Sequence, residues 1–251
     1  MPEALVLPEP AALARGLLLD VGGVVIAPGP LLVNRVARQV PALAELLEPL
    51  GGIGGPGDEL WHQMLASKVT EREYWAERSA QIGHALADRA GTARPGSGDG
   101  AASGTGSLTD TRALMHWLYA GPQEEWLQPE VIQLMRDVKA AGLPLGALTN
   151  DMADFHGQEW VDQQFWVKLF DVVVDASHTG VLKPDPRAFA AGAAALGLAP
   201  EEIAYLDDMP WNVDGGQAAG LQAIRMPHGS PGPAVTQARR LLGLPQFRRA
   251  G

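Results

Sequence analysis

The fold follows from the stretch Gly16-Leu17-Leu18-Leu19-Asp20-Val21-Gly22-Gly23-Val24-Val25. A short apolar run ends on one carboxylate, and two glycines and another apolar pair follow it. Because the run is too short for a stable helix and is bounded by small residues, it is typical of a buried parallel strand. Asp20 then stands at the carboxyl end of that strand, where open α/β sheets bind their ligands. Taken alone, the stretch also fits a turn or helix-capping aspartate.

The composition restricts the class of protein. The chain has 251 residues, of which 46% are hydrophobic, enough for a substantial core and an insert. Its net charge of −10 argues against a nucleic-acid partner, and the absence of cysteine excludes disulfides and thiolate metal sites. No apolar run is long enough to span a membrane, and the opening residues lack the basic region of a signal peptide. We therefore expect a soluble, cytoplasmic protein without a membrane partner, whose oligomeric state the composition leaves open.

Strands and helices alternate in the second half of the chain. Apolar runs predict strands at 143–148, 170–174, 203–206 and 222–226. Amphipathic patterns predict helices at 129–140, 158–169, 185–196, 213–219 and 234–242. Together with the strand at 16–20, this alternation indicates an α/β fold with a doubly wound parallel sheet.

A helical block separates the first strand from the second. Its apolar positions recur at helical spacing from Leu31, although Pro41 must kink or divide the first helix. Asp58 is a plausible helix N-cap, and Thr70 with Glu73 resembles a capping box. The segment 91–107 is rich in glycine and serine and has no large apolar residue, so we expect an exposed, flexible loop there.

Polar side chains follow three of the predicted strands. In chain order they are Asp20, then Thr149 and Asn150, then Asp207 and Asp208, with Lys183 between the last two groups. Because the carboxyl ends of parallel strands open on the same edge of the sheet, these carboxylates are expected to crowd one crevice. Two like charges about 4 Å apart repel by about 4 kcal/mol at an effective dielectric constant near 20, so a cation or the lysine must compensate. Oxygen ligands without histidine or cysteine favour Mg²⁺ over Zn²⁺.

This order of motifs resembles the haloacid dehalogenase (HAD) superfamily of aspartyl-nucleophile hydrolases. The four family motifs fall on Asp20, Thr149, Lys183 and the pair Asp207-Asp208. The resemblance covers residues 15–30 and 127–228, and its most specific part runs from Lys183-Pro184-Asp185-Pro186 to the acidic pair. The helical insert looks like the cap of subclass I members, and the stretch EREYW at 71–75 is similar to an acid–aromatic segment often seen in such caps.

The resemblance implies a division of the chain into two domains. Residues 15–30 and 127–251 would form a Rossmann-like catalytic core, and residues 31–126 an α-helical cap inserted into it. The implied activity is that of a Mg²⁺-dependent phosphatase that acts on a small phosphorylated metabolite through an aspartyl-phosphate intermediate.

The resemblance also implies a role for each motif residue. Asp20 would be the nucleophile, and the Mg²⁺ ligands would be Asp20, the backbone carbonyl of Gly22 and Asp208. Asp207 would be a further ligand or an orienting group, and Asn212 would orient the acidic pair. The phosphoryl group would be bound by the residues Thr149, Asn150, Gly23 and Lys183, and Lys183 would also neutralise the nucleophile.

One position departs from the family pattern. Phosphatases of this family usually carry a second aspartate two residues after the nucleophile, as the general acid and base, and here that residue is Gly22. General acid–base catalysis contributes about 10²–10⁴-fold, so the enzyme would be slow, would use acyl, anomeric or anhydride phosphates, or would use another proton donor. The candidate donors are Asp151, His62 and His84.

Two other functions fit the same motifs. A carbon–halogen hydrolase of the 2-haloacid dehalogenase type needs no acid for its leaving group, which suits Gly22, but such enzymes need neither a metal nor an acidic pair. A phosphate-ligand binding protein with weak or no turnover is also compatible with the loss of the acid. The pair Asp207-Asp208 favours the metal-dependent phosphatase.

Overall fold

A computed structural model describes residues 14–87 and 108–246. The loop predicted at 91–107 lies outside the described residues, as do residues 1–13.

Five parallel strands form one sheet. They are β1 (Gly16–Leu19), β2 (Leu145–Thr149), β3 (Val172–Asp175), β4 (Ile203–Asp207) and β5 (Gln222–Arg225). The order across the sheet is β3-β2-β1-β4-β5, so β1 lies at the centre and the chain winds outward in both directions. All five predicted strands are confirmed, with ends within two residues of those predicted from the sequence.

The central strand is buried on both faces. Leu17 and Leu19 pack into one hydrophobic cluster, whereas Leu18 packs on the opposite face against Leu148 and Phe189. Successive side chains of a strand point to opposite faces, so a strand covered on both sides needs an uninterrupted apolar run. This requirement explains why three leucines directly precede Asp20.

Helices cover the sheet and form the insert. Between β1 and β2 lie α1 (Gly29–Ala37), α2 (Pro41–Leu47), α3 (Glu59–Leu65), α4 (Glu71–Ala87), α5 (Thr111–Leu118) and α6 (Pro129–Ala140). After β2 come α7 (Met152–His156), α8 (Gln158–Gln163), α9 (Ala176–Thr179), α10 (Pro186–Leu196), α11 (Pro210–Ala218) and α12 (Gly232–Leu241). The result is an α/β fold with a Rossmann-like core and a helical cap. No helix of the described part of the chain has the length and apolar character of a membrane span.

The prediction of one helix over 158–169 is wrong. Helix α8 ends at Gln163, and only a short 3-10 turn follows at Val167–Leu169. Gln164 adopts an extended conformation that ends the helix, and Trp166 beyond it is completely buried. Burial of this large side chain in the core therefore prevails over the helical pattern.

The cap has a buried polar centre of its own. Asp58 caps α3 by accepting from the N–H of Trp61, and it also accepts from Tyr74 Oη at 2.8 Å and from Arg78. Burial opposes ionisation of this carboxyl, but the N–H donors of Gly54 and Trp61 outweigh it and hold the pKa of Asp58 below its usual value. The N-cap predicted at Asp58 is confirmed. It ties α3 and α4 together over the open edge of the sheet.

Helix α4 begins with the predicted capping box. The Glu73 carboxylate accepts from the Thr70 N–H at 2.7 Å, and the Thr70 hydroxyl accepts from the Glu73 N–H at 3.2 Å. This cap fixes where α4 starts, at Glu71.

Candidate active site

The carboxyl ends of the central strands converge on one buried chamber of about 80 Å³. Its core side is lined by the predicted residues Asp20, Gly22, Gly23, Thr149, Asn150, Lys183, Asp208 and Asn212. Asp20 directly follows β1, Thr149 ends β2, and Asp208 directly follows β4. The topology thus brings together Asp20 and Asp208, which are 188 residues apart in the sequence.

Three carboxylates meet at this edge. Each of Asp20, Asp207 and Asp208 contributes one oxygen, and these oxygens lie within 4.8 Å of one another. Lys183 Nζ lies 3.0 Å from Asp20 Oδ1 and 2.7 Å from Asp207 Oδ2. One lysine cannot neutralise three buried carboxylates, and the donors are all oxygen. The cluster therefore fits a hard divalent cation such as Mg²⁺.

The charges in the chamber are strongly coupled. Burial opposes the charge of Lys183, but Asp20 and Asp207 outweigh it and raise the pKa of Lys183 above its usual value. Burial also raises the pKa of Asp20 well above the usual range; Lys183 lowers it, and Asp207 and Asp208 raise it further. Lys183 therefore carries a positive charge, and the remaining excess of negative charge calls for a second cation.

Asp20 presents a free oxygen to the chamber. Its Oδ1 accepts from the Val21 N–H at 2.7 Å and lies beside Lys183. No group in the described ranges donates a hydrogen bond to Oδ2. A carboxylate held at one oxygen and unengaged at the other is suited to attack an electrophile or to bind a metal.

Both carboxylate oxygens of Asp207 accept hydrogen bonds. Its Oδ1 accepts from the Met209 N–H at 2.8 Å, and its Oδ2 accepts from Lys183 Nζ and Tyr205 Oη. Asn212 Nδ2 lies 3.2 Å from both oxygens, as expected of a residue that orients the acidic pair. With both oxygens occupied, Asp207 is better suited to fix Lys183 than to bind a metal directly.

Asp208 requires a glycine beside it. Gly23 has a φ of +72°, and a Cβ added there would lie 2.0 Å from Asp208 Oδ2. The same Oδ2 is 2.7 Å from His228 Nε2. Because Gly23 has no side chain, it leaves room for the Asp208 carboxylate.

Asn150 positions the loop that carries the lysine. Its Oδ1 accepts from the Lys183 N–H at 2.8 Å, and its Nδ2 donates to the Lys183 carbonyl at 3.2 Å. The side chain that the sequence assigned to phosphoryl binding is therefore engaged with the backbone of Lys183.

The cap closes the chamber with large side chains. They are Trp61, Trp75, Met115, Tyr119 and, from the core, Phe155. A wider groove of about 580 Å³ adjoins the chamber, and it is lined by Met64, Val69, Leu182, Pro184 and Trp211 together with polar groups. The site thus combines a small chamber with a larger groove, and both have a mixed polar and apolar lining.

The three candidate proton donors are placed differently. Asp151 lines the chamber but is ion-paired with Arg72 of α4. His62 and His84 are exposed, and neither lines the chamber or the groove.

The sequence did not indicate that two residues, Glu71 and His228, belong to the site. Glu71 lines both the chamber and the groove, and it was singled out only as part of a cap motif. His228 lies in the loop that follows β5, where no periodicity or motif marks it. Position after a strand of the sheet is the one signal that could have indicated His228.

Comparison with known proteins identifies the family of this chain. The family profile of haloacid dehalogenase-like hydrolases matches residues 14–220. Acyl-CoA dehydrogenase family member 10 of Mus musculus is 28% identical over 92% of this chain and 19% of its own length. Phosphoserine phosphatase of Thermus thermophilus is 34% identical over 41% of each chain. The chain thus spans less than half the length of either curated relative.

Solved structures share the fold. The HAD hydrolase YfnB of Bacillus subtilis, solved bound to magnesium, aligns with a TM-score of 0.61 and 16% identity over 92% of this chain and 99% of that one. A dehalogenase solved with an intermediate complex aligns with a TM-score of 0.56 and 19% identity over 88% of both chains. With the profile match over most of the chain, the protein belongs to the haloacid dehalogenase-like hydrolases.

Proposed function

We propose that the chain is a Mg²⁺-dependent phosphatase that acts on a small phosphorylated metabolite through an aspartyl-phosphate on Asp20. The observation that carries this proposal is the acidic cluster, in which three carboxylate oxygens lie within 4.8 Å of one another beside one lysine. A haloacid dehalogenase of the metal-independent type has no use for such an excess of negative charge.

Asp20 is the nucleophile in this proposal. Its Oδ1 is held by the Val21 N–H and Lys183, so its orientation is fixed before substrate arrives. The carboxylate attacks phosphorus, the bond from phosphorus to the leaving group breaks, and water then hydrolyses the aspartyl-phosphate.

Other chain groups bind the phosphoryl oxygens. Lys183 Nζ already bridges Asp20 and Asp207 and donates to the transferring group, and the buried Thr149 hydroxyl, which also lines the chamber, donates to a phosphoryl oxygen. Asn150 and Asp207 act as positioning residues, because they hold the backbone and the amine of Lys183, respectively. Such preorganised donors stabilise charge that develops in the transition state.

The residues fit Mg²⁺ by the chemistry of their donor set. Asp20, the Gly22 carbonyl and Asp208 would hold the ion, and Asp207 would orient the site from behind Lys183. The bound ion would supply positive charge against the phosphoryl oxygens. The magnesium-bound YfnB structure and the phosphatase among the curated relatives support this assignment.

Phosphate release tests the proposal. Purified chain is expected to release phosphate from a panel of acyl phosphates and phosphate esters when Mg²⁺ is present, and to lose this activity when EDTA removes the metal. Restoring Mg²⁺ should restore the rate, because the cluster is expected to lose its compensating charge without the ion. Phosphate release that is unaffected by EDTA would contradict the metal-dependent mechanism.

A dehalogenase is the second candidate function. Gly22 leaves the site without the usual acid, and the cap side of the chamber is largely apolar, which suits a small haloacid. Halide release from 2-haloacids in EDTA, without phosphate release from any phosphate compound, would favour it. Stabilisation by phosphate without any turnover would instead favour a phosphate-binding protein.

A further inference from the structure

Glu71 lies where the two parts of the site meet. Only four residues line both the small chamber and the wide groove in the described part of the chain, namely Glu71, Asn150, Asp151 and Lys183. The chamber holds the nucleophile Asp20. A substrate with its phosphoryl group in the chamber and its carbon skeleton in the groove must place its bridging oxygen at this junction.

Glu71 is the unengaged carboxyl of the four. Within the described ranges, no hydrogen bond or ion pair holds its side chain, whereas Asp151 is ion-paired with Arg72 and Asn150 is bonded to the Lys183 backbone. Burial, and to a smaller extent Asp208, Asp151 and Asp20, raise the pKa of Glu71 to about 8 against the opposing effect of Lys183. Burial, the largest of these effects, thus favours the protonated form of the Glu71 side chain.

Three other residues that line the chamber in the described part of the chain could carry a proton, namely Tyr119, His156 and His228. Burial lowers the pKa of His156 to about 3, so its ring carries no acidic proton at neutral pH, and the other two are engaged. Tyr119 donates its hydroxyl to the Ala27 carbonyl at 2.7 Å, and His228 is bonded to Asp208. Gly22 has no side chain, and a Cβ added there would have no atom within 4 Å. The position of the usual family acid is thus open, and Glu71 approaches the site from the cap.

We propose that Glu71 is the general acid that replaces the aspartate missing at Gly22. The inference rests on the proposed phosphatase function. As a bond forms between Asp20 and phosphorus, the bond from phosphorus to the ester oxygen breaks, and the Glu71 proton passes to that oxygen to give an alcohol. The Glu71 carboxylate then accepts a proton from the water that attacks the aspartyl-phosphate, which frees phosphate and Asp20. The chain therefore hydrolyses esters of poor leaving groups, and the adjoining groove of mixed polar and apolar lining receives their carbon skeleton.

The leaving-group dependence of Glu71→Gln tests this role. We expect kcat/KM for phenyl phosphate and for an alkyl phosphate to fall by about 10²–10³-fold, because these leaving groups need a proton. For acetyl phosphate, whose leaving group needs none, the loss should stay below about fivefold. Glu77→Gln, on the exposed side of the same helix, should leave all three rates unchanged. Rates in saturating Mg²⁺ should be compared for the three proteins.

A second variant separates an acid from a structural role. Gly22→Asp introduced into Glu71→Gln should recover most of the phenyl phosphate activity, since it supplies a carboxyl at the usual family position. Equal losses on acetyl and phenyl phosphate, or no loss on either, would overturn the inference while leaving the phosphatase proposal intact. Failure of the wild-type chain to release phosphate from any of the three compounds would remove both proposals.

Discussion

Asp20→Asn is expected to reduce phosphate release by about 10⁴-fold or more, since an amide neither attacks phosphorus nor forms the acyl phosphate. Asp20 directly follows the central strand, its Oδ1 is fixed, and its Oδ2 faces the chamber. The two neighbouring carboxylates are poorly suited to take its place, because both oxygens of Asp207 are occupied and Asp208 is bonded to His228. The rate of phosphate release in saturating Mg²⁺ gives this result.

A matched variant separates catalysis from stability. Asp162→Asn changes an exposed carboxylate of α8 and should leave the rate unchanged. Asp20→Asn should remain folded, because it removes one of three mutually repelling carboxylates. An Asp20→Asn protein that is folded and retains a tenth of the wild-type rate would exclude Asp20 as the nucleophile.

Lys183→Met is expected to abolish activity and also to destabilise the fold by about 3–5 kcal/mol, because it leaves buried carboxylates without a partner. The lysine side chain is 1% exposed, and Asp207, which it contacts at 2.7 Å, is completely buried. For a chain of this size, such a loss lowers the thermal midpoint by about 10 °C. Mg²⁺ should recover part of the stability, since it supplies positive charge to the same cluster.

Lys139→Met is the matched control for this stability effect. Lys139 is ion-paired with Asp171 at the surface, where both side chains are about 40% exposed, and such pairs contribute less than about 1 kcal/mol. Urea unfolding of the two variants compares the buried ion pair with the exposed one. Equal midpoints would show that Lys183 does not compensate the buried carboxylates.

Much of the sheet could be predicted from the sequence because its strands are short apolar runs. Leu17, Leu18 and Leu19 can only be buried on both faces of a central strand, and Asp20 after them marks the ligand-binding edge. The prediction of one helix over 158–169 was wrong because the core packing of Trp166 depends on distant residues. A local sequence pattern does not contain that information.

The residues of the site likewise fall into those that the sequence predicts and those that it does not. The motif residues Asp20, Thr149 and Asp208 follow from strand ends, which a parallel sheet must bring together. Glu71 and His228 depend on how the cap and a late loop fold back over that edge, and no local pattern encodes this approach.

Isolation of the covalent intermediate tests most directly whether Asp20 is the nucleophile. Wild-type protein mixed with a substrate and Mg²⁺, quenched in acid during turnover and digested at low pH, is analysed by mass spectrometry for phosphorylated peptides. We expect a phosphoryl group on Asp20 of the wild-type protein and none at residue 20 of Asp20→Asn. Rapid phosphate release without any phosphorylated Asp20, or with the phosphoryl group on a different residue, would contradict it.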